Sequence, residues 1–309
     1  MQDDFFVLTE DVAAFGKYPG ARSVEELLHN GIIILDKWCG PTSHEVSATV
    51  KKLLERKKTA HAGTLDPQVS GVLPIMLDNA CKVMPALQKQ DKEYVGIMHL
   101  HREISAGELE KAVKSFTGTI TQKPPVRSAV ARVERKRRIY SFKILECSGR
   151  DALFSVSCEA GTYIRKLIDD LGKKIGGAHM SELRRTSVGA FSEEKSHKIQ
   201  DIADAFFFFK ENGSDELKNF ILPVESVVNH LGKIIVKDSA VKSILNGSPL
   251  YTSGISRIEK TIKNGDLLAL LTLKGELLAL AKSNIDFNEK AIKRKQLIAK
   301  TDRVIMVSE

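Results

Sequence analysis

Cysteine and tryptophan are scarce in this sequence, which has one Trp and only four Cys residues. Cys39, Cys81, Cys147 and Cys158 lie far apart and include no Cys-x-x-Cys pair. The sequence therefore predicts neither a zinc site nor a disulfide framework. This cysteine usage fits a reducing cytoplasm.

Long apolar runs are also missing, as are features of export. No apolar stretch is long enough to cross a bilayer, and the chain begins with the acidic Met1-Gln2-Asp3-Asp4 rather than a basic segment. We therefore expect neither secretion nor membrane insertion, and we expect a cytoplasmic protein. The sequence contains no low-complexity tract and no internal repeat.

A serine hydrolase is a further class that the sequence does not support. Ser43 or Ser70 could be combined with His61 and Asp66, but the chain has no Gly-x-Ser-x-Gly elbow to present the nucleophile.

Positive charge is what the sequence has in excess. Its 309 residues carry a formal net charge of +8, with a pI near 9.2 and 42% hydrophobic residues, which is enough apolar material for two domains. Lysine and arginine are clustered at Lys51-Lys52, Arg56-Lys57-Lys58 and Arg135-Lys136-Arg137-Arg138. Such clusters suit a polyanion such as RNA. The alternative is that they are solvated helix faces, and charge alone separates RNA from an anionic membrane poorly.

The stretch His61-Ala62-Gly63-Thr64-Leu65-Asp66-Pro67 places one carboxylate in a tight turn. Thr64 can hydrogen-bond locally, Gly63 permits unusual torsions, and Pro67 restricts the backbone after the acid. Asp66 is therefore a candidate reactive group that is held in place. In isolation, Asp-Pro in a glycine-containing loop is ordinary turn chemistry.

Regular elements are predicted on both sides of this turn. Gly31 to Lys37 is typical of a buried strand, and Thr42 to Glu45 form a capping box that starts a helix. Lys92 to Leu100 predicts a strand with Tyr94 near its start. Further elements are predicted by the same patterns: helices at 24–29, at 79–87 and from Ser105, and strand-like runs near 128–133, 138–147, 151–160 and up to Thr186.

Arg165 is predicted to lie in the first turns of a helix that follows a strand and a turn at Gly161. On spacing alone it would pair with Asp169, four residues further on, which contributes a few tenths of a kcal/mol, on the order of 0.3. The four phenylalanines Phe206 to Phe209 are predicted to be core.

From about residue 231 the pattern changes to short apolar strands and turns. A strand at 233–236, a helix at 239–245 stopped by Gly247, and two strands joined by the turn Lys274-Gly275 predict a small β-barrel. The predicted organisation is an extension at 1–30 that packs on the last domain, a domain at 31–230, and a second domain at 231–309.

Several sequence blocks together support a family resemblance. They are Leu35-Asp36-Lys37 through Gly40-Pro41-Thr42-Ser43-His44, then His61 to Pro67, Lys92-Glu93-Tyr94, and Gly161 to Arg165 followed by Leu183-Arg184-Arg185-Thr186. With these blocks the chain resembles the TruB type of pseudouridine synthase, and over nearly its whole length it resembles the archaeal dyskerin-type branch. The final segment is similar to a PUA domain, and its residues Asp238 to Val241 and Leu273 to Glu276 match the sequence of the dyskerin-type branch.

The resemblance implies an α+β fold. A mixed, mainly antiparallel sheet would form the catalytic domain, and a small β-barrel would form the C-terminal PUA domain. It also implies isomerisation of uridine to pseudouridine in RNA, with no metal or organic cofactor. This chemistry requires an ionised carboxylate beside a nucleotide extruded from its stack, so we expect Asp66 in a dry cavity.

Residue roles follow from the same resemblance. Asp66 matches the catalytic aspartate, Arg165 the arginine that pairs with it and orients it, and Tyr94 the residue that stacks on the target base. Leu183 would close the apolar wall of the pocket, and His61 matches a residue near the flipped nucleotide.

Other positions are substrate-binding or RNA-binding candidates. Thr64 is a candidate for substrate binding. Lys37, Arg184, Lys242 and Gly247 are candidates for RNA binding, although Lys37 matches a family position that is more structural than chemical.

Partners are also implied by the resemblance. They are a box H/ACA guide RNA, substrate rRNA and tRNA, a small Nop-type scaffold protein, a Gar-type protein and a kink-turn-binding relative of a ribosomal protein, with no membrane. Two alternatives stay open, namely a stand-alone tRNA pseudouridine synthase and a non-catalytic RNA scaffold in ribosome assembly.

Overall fold

Two β-sheets contain the strands of this computed structural model, which describes residues 4–124, 131–289, 293 and 295–306. The ten strands of the larger sheet are β2 (Gly31–Lys37), β3 (Thr59–His61), β4 (Val69–Leu77), β5 (Lys92–Leu100), β6 (Gly118–Gln122), β7 (Arg135–Ser148), β8 (Asp151–Cys158), β9 (Ala178–Val188), β10 (Phe191–Ser192) and β11 (Leu222–Pro223).

The smaller sheet combines the two ends of the chain. Its seven strands are β1 (Phe5–Val7), β12 (Gly232–Val236), β13 (Leu250–Tyr251), β14 (Ile255–Glu259), β15 (Leu267–Leu271), β16 (Leu277–Ser283) and β17 (Leu297–Val304). It is curled into a half-barrel with the order β1-β14-β12-β15-β16-β17-β13, and the N-terminal strand β1 pairs with β14.

The α-helices of the described chain pack around these sheets. They are α1 (Val24–Asn30), α2 (Ser43–Leu53), α3 (Met84–Gln88), α4 (Ala106–Lys114), α5 (Ile164–Ile175), α6 (Ile199–Asn212) and α7 (Asp238–Leu245). The predicted capping box is confirmed, because the Thr42 hydroxyl accepts from the Glu45 amide while the Glu45 carboxylate accepts from the Thr42 amide. None of the described helices combines the length and apolar character needed to span a membrane.

The larger sheet follows the order β11-β2-β4-β9-β5-β8-β7-β6, with β3 paired to β4 and β10 to β9. All these pairs are antiparallel except β4 with β9, so the predicted mixed, mainly antiparallel α+β fold is confirmed. The parallel register places Val69 opposite Leu183 and Gly71 opposite Arg185. This pairing brings the Leu183 block beside the loop that carries Asp66.

Some predicted elements were wrong. The helix predicted at 79–87 is a 3-10 helix (Asp78–Val83) followed by α3, because Pro85 lies at the start of α3 and lacks the amide that would continue one helix through it. Strand β6 was not predicted. The run near 128–133 lies partly outside the described residues, and its described part, 131–133, is not in a strand.

The phenylalanine run on α6 is only partly core. Phe206 is 7% exposed, whereas Phe207 and Phe208 are 58% and 46% exposed. Four consecutive residues of a helix point in different directions, so one apolar run cannot be buried on a single face.

One hydrophobic core is shared between the two sheets. Ile32 and Ile34 of β2 belong to the same buried cluster as Leu271 of β15, Leu280 of β16 and Ile305. The predicted domains therefore pack directly on each other, while the boundaries at 30/31 and 230/231 stay predictions.

The N-terminal segment is attached by hydrogen bonds and ion pairs. The backbone amides of Ala14 and Phe15 donate to the Asp238 carboxylate at 2.8 and 2.9 Å. Arg22, whose side chain is only 5% exposed, donates to Glu225 at 2.6 and 2.8 Å and to Glu276 at 3.0 Å. Arg22 therefore links the N-terminal segment to both parts of the fold.

Candidate active site

Asp66 and Arg165 meet although 99 residues separate them in sequence. Asp66 lies in the loop between β3 and β4, and Arg165 lies in the first turn of α5. The Arg165 Nη2 donates to Asp66 Oδ2 at 2.6 Å. Arg165 thus pairs with Asp66 rather than with Asp169, the partner that helical spacing alone would give.

The expected dry cavity around this pair is not observed. The Asp66 side chain is 52% exposed and that of Arg165 is 56% exposed. Neighbouring Leu65 is buried at 4% exposure, so the loop anchors itself through Leu65 and turns the carboxylate outward. The described residues therefore leave the Asp66 carboxylate in contact with solvent.

The Lys37 ammonium donates hydrogen bonds to the backbone of this loop. Its Nζ donates to the carbonyl oxygens of Trp38 at 3.0 Å, Pro67 at 3.1 Å and Val69 at 2.8 Å, with a longer contact to that of Asp66 at 3.4 Å. Burial lowers the pKa of the Lys37 ammonium, partly offset by the negative charge of Cys39 and of Asp66. Because the side chain is 0% exposed, the prediction that Lys37 binds RNA is corrected. Lys37 instead fixes the loop.

The segment after β2 adds further hydrogen bonds to the same loop. The buried Ser43 hydroxyl accepts from the amide of Leu65 at 2.8 Å and donates to its carbonyl at 3.0 Å. The amide of Gly40 donates to the carbonyl of Pro67 at 2.9 Å. Ser43 is therefore a structural clamp, and residues 37–43 and 65–69 form one connected unit.

Arg185 is a residue that the sequence analysis did not assign. Its side chain is 1% exposed, with Nε donating to the carbonyl of Val72 at 2.8 Å and Nη2 to that of Gly63 at 2.9 Å. Burial lowers the pKa of its guanidinium, and the interaction with Tyr94 partly offsets this. Gly63 has φ +80°, and a Cβ there would lie 3.1 Å from Arg185 Nη1, so the close approach favours glycine. The sequence signal that could have identified Arg185 is the alternation of side chains along β9, which puts Leu183 and Arg185 on the same face of the strand.

Tyr94 lies opposite Arg185 in the sheet, and Leu183 lies opposite Gly96, two residues further along β5. Tyr94 and Leu183 are both 8% exposed, and they come from the paired strands β5 and β9. Burial raises the pKa of the Tyr94 hydroxyl, while the hydrogen-bonded Arg185 partly opposes this. The phenol therefore keeps its proton at neutral pH and is held in a fixed orientation.

His61 is the last residue of β3, and Thr64 lies in the loop that follows it. Burial lowers the pKa of the His61 imidazole, and the nearby His44 and Arg185 lower it further, so the ring is neutral near pH 7. Its Nδ1 is buried and has no hydrogen-bond partner among the described residues. Thr64 is exposed on the surface of the turn. The assignments of both residues to substrate binding stay predictions.

The other RNA-binding candidates differ in their surroundings. Arg184 donates to Asp36 at 2.8 Å and to Glu193 at 2.7 Å, so two carboxylates already compensate its charge. Lys242 and Gly247 are exposed, on α7 and just after it. Their role in RNA binding stays a prediction.

Strand β7 presents a basic and aromatic stripe. Lys136, Arg138 and Tyr140 alternate along its exposed face, and the Arg138 guanidinium carbon lies 5.8 Å from the centre of the Tyr140 ring. Arg137 points the other way, towards Gly161 in the loop that leads to Arg165. The stripe thus belongs to the same end of the sheet as the Asp66–Arg165 pair. In the part of the chain that is described, no three His, Cys, Asp or Glu side chains are placed to hold a metal ion together.

The sequence matches known families along its length. Residues 51–164 match the TruB family pseudouridylate synthase (N terminal domain), and residues 165–229 match the tRNA pseudouridylate synthase B C-terminal domain. Residues 232–305 match the PUA domain, and residues 8–47 match the DKCLD (NUC011) domain.

Similar proteins occur among archaea. The chain is 48% identical to a probable tRNA pseudouridine synthase B of Methanopyrus kandleri over 294 residues, covering 94% of this chain and 87% of that protein. It is 47% identical to the corresponding Pyrobaculum aerophilum protein, with coverage of 94% and 88%.

Solved structures are similar as well. One is a Cbf5-Nop10-Gar1 complex, with a TM-score of 0.92, 44% identity, and coverage of 98% of this chain and 94% of that one. Another is an H/ACA RNP bound to a substrate RNA containing 2'-deoxyuridine, with a TM-score of 0.89, 42% identity, and coverage of 98% and 94%.

Proposed function

The chain belongs to the TruB family of pseudouridylate synthases, and from this premise we propose that Asp66 is the carboxylate with which it converts uridine to pseudouridine in RNA. In this isomerisation the glycosidic bond moves from a base nitrogen to a base carbon. The observation that carries the assignment is the 2.6 Å ion pair between Asp66 and Arg165, which joins two distant sequence blocks at one place.

Asp66 can act in two ways, and the geometry is compatible with both. Its carboxylate can attack the sugar and form a covalent intermediate, or it can stabilise the sugar and remove a proton from it. In either route the base is detached, turned and rejoined while it stays bound. Arg165 orients the carboxylate through a charge-assisted hydrogen bond.

The buried residues beside the loop form the pocket for the extruded base. We assign the Tyr94 ring to stacking on this base and Leu183 to the apolar wall. We assign the neutral ring of His61, whose pKa is lowered by burial, to contact with the nucleotide. Because Asp66 is half exposed, bound RNA completes the enclosure.

We further propose that a box H/ACA guide RNA selects the target uridine. The similar structures named above contain Nop10 and Gar1 proteins, or an H/ACA RNP with substrate RNA, and this chain matches them over 98% of its length. Small Nop-type and Gar-type proteins are thus its proposed partners, together with a kink-turn-binding relative of a ribosomal protein. The PUA segment, with Lys242 and Gly247 at its surface, would hold the guide.

Direct modification of tRNA is a second candidate function. The archaeal relatives carry the name tRNA pseudouridine synthase B, which fits a reaction on the tRNA T-loop without a guide. The two functions are compatible, because the same active site would serve both. We place the protein in the cytoplasm of an archaeal cell, in keeping with its free cysteines.

The test is to measure pseudouridine in two reactions. Purified protein is incubated with a T-loop RNA, and separately with guide, target RNA and partner proteins. We expect product in the guided reaction, and Asp66→Asn should abolish it while RNA affinity stays near normal. The matched control is Asp169→Asn, which alters the neighbouring exposed carboxylate that Arg165 does not use and should retain activity. Product from Asp66→Asn would contradict the assignment.

A further inference from the structure

The single tryptophan of the protein lies beside the active-site loop. Trp38 directly follows Lys37 at the end of β2, and it is 39% exposed. A large apolar ring at the surface loses free energy relative to a buried one, because its apolar area remains in water. The fold does not bury this indole, although the described residues form three clusters of buried hydrophobic side chains.

Trp38 is attached firmly to the loop that carries Asp66. The Lys37 Nζ donates to the carbonyl of Trp38 at 3.0 Å and also contacts the carbonyl of Asp66 at 3.4 Å. The two residues that follow Trp38 reinforce this link, since the Cys39 thiol donates to the carbonyl of Gln68 at 3.3 Å and the Gly40 amide to that of Pro67 at 2.9 Å. The backbone of Trp38 therefore keeps a fixed position relative to the carboxylate.

An exposed aromatic ring beside the active-site loop would favour the extrusion of the target nucleotide. Extruding the target nucleotide removes a stacking partner from the base on either side of it, which costs a few kcal/mol, roughly 2–4. An indole can replace a lost stacking partner for any base, because every base has a π face. This inference rests on the proposed function.

We propose that Trp38 is an RNA-binding residue whose indole stacks on an unpaired nucleotide next to the target uridine. Its position on the active-site loop favours RNA over a protein partner as the occupant. Tyr94, in contrast, lies inside the pocket at 8% exposure and is assigned to the target base itself. Trp38 thus acts on substrate affinity and not on the reacting atoms.

Fluorescence offers a direct test, because all tryptophan emission comes from this one residue. Asp66→Asn protein, which holds RNA without converting it, is titrated with substrate RNA in the absence of partner proteins. We expect quenching of Trp38. The same RNA with an abasic site at one of the two nucleotides flanking the uridine should quench less. Equal quenching by all these RNAs, no quenching, or a change only after partner proteins are added would overturn the proposal.

Kinetics supply the second test. Trp38→Ala should raise KM about tenfold or more with kcat little changed, and Trp38→Phe should restore most of the affinity because it keeps a stacking ring. Phe207→Ala is the matched control, since Phe207 is also an exposed aromatic residue but lies on α6. An unchanged KM in Trp38→Ala refutes the stacking role. Absence of pseudouridine formation by the unmodified protein would refute the proposed function instead.

Discussion

Three buried cations surround the loop that carries Asp66. Lys37, Lys92 and Arg185 are exposed by 0%, 6% and 1%, and each donates to backbone carbonyl oxygens. A buried charge is costly unless hydrogen bonds compensate it, and carbonyl oxygens provide that compensation here. Among the described residues, no carboxylate forms an ion pair with any of these three cations. The loop is therefore held in a positive environment that suits a carboxylate.

Replacing Tyr94 by phenylalanine separates the ring from the hydroxyl. We expect Tyr94→Phe to lower kcat with little change in KM, because the stacking ring remains while the hydroxyl bonded to Arg185 is lost. Leaving the buried guanidinium partly unpaired should also reduce stability by about 1–3 kcal/mol. Steady-state kinetics and thermal unfolding measure the two effects. Tyr140→Phe, which alters an exposed hydroxyl bonded to Asp91, is the control. An unchanged kcat in Tyr94→Phe would limit the role of Tyr94 to stacking.

The candidate site could be predicted from the sequence only in part. Asp66, Arg165 and Tyr94 came from the family resemblance, since spacing within one helix favoured Asp169 as the partner of Arg165. Sequence patterns describe local neighbours, whereas this ion pair spans 99 positions. The burial of Lys37 could not be predicted for a related reason, because a lysine in sequence carries no mark of whether its ammonium faces solvent or carbonyl oxygens; the family resemblance indicated only that its position is more structural than chemical.

At the scale of elements, strand β5 begins with an unusual cation. Lys92 donates to the carbonyls of Gln88 and Gln90 and is nearly buried. Burial and, to a lesser extent, the charge of Arg185 lower the pKa of its ammonium from 10.5 to about 8. The folded protein thus gives up this proton at a lower pH than the unfolded chain.

This difference predicts a rise in stability with pH. Below about pH 8 Lys92 is charged in both states and its burial is unfavourable, whereas between about 8 and 10.5 the unfolded chain binds the extra proton. From pH 7.5 to 9 we expect the free energy of unfolding to rise by about 1 kcal/mol through this group. Denaturant titrations at both pH values measure it, with Lys92→Met as the variant that should lose the rise. An equal rise in Lys92→Met would contradict the assignment.

Above pH 9 the buried thiols of Cys81 and Cys158, whose pKa values burial raises to about 11 and about 12, act in the opposite direction.

The basic stripe on β7 makes a prediction about salt. Each cation that neutralises a phosphate releases counterions, so Lys136→Ala and Arg138→Ala should each reduce the slope of log affinity against log salt by roughly one unit. Binding of substrate RNA is measured at several salt concentrations. Lys210→Ala on α6, whose ammonium pairs with Glu55, is the control. Slopes equal to that of the unmodified protein would exclude the stripe from the RNA interface.

Most long elements could be predicted from the sequence. Strand β2 and strand β5 have the predicted bounds, and the capping residues placed the starts of α2 and α4 correctly. The errors occur where tertiary packing decides, as in β6, which is short and half polar and forms by pairing with β7. Its alternation over five residues is too brief to distinguish a strand from a loop.

At the scale of the whole molecule, the two sheets are joined by Arg22. This guanidinium binds Glu225 and Glu276, whose side chains are 12% and 14% exposed, so its loss removes the cation from two nearly buried carboxylates that keep only backbone amide donors. Removing one partner of a buried pair typically costs about 3–5 kcal/mol. Arg22 thus fixes the position of the C-terminal sheet relative to the active site.

We expect Arg22→Met to lower the guided reaction more than the direct reaction on a T-loop RNA, because the guided reaction depends on both sheets. Thermal unfolding should show the accompanying loss of stability. Lys218→Met removes an exposed pair with Asp215 and serves as the control, with an expected change under about 1 kcal/mol. If Arg22→Met affects both reactions equally, the link does not serve guide-dependent positioning.

The shared core has a consequence for the order in which a cell makes this protein. Ile32 emerges from the ribosome long before Leu280 and Ile305, yet the buried cluster that encloses it also needs these two residues. A nascent chain that already contains Asp66 and Arg165 still lacks the packing behind β2. Full rigidity of the catalytic half, and with it RNA modification, therefore has to wait until Ile305 has been translated and packed.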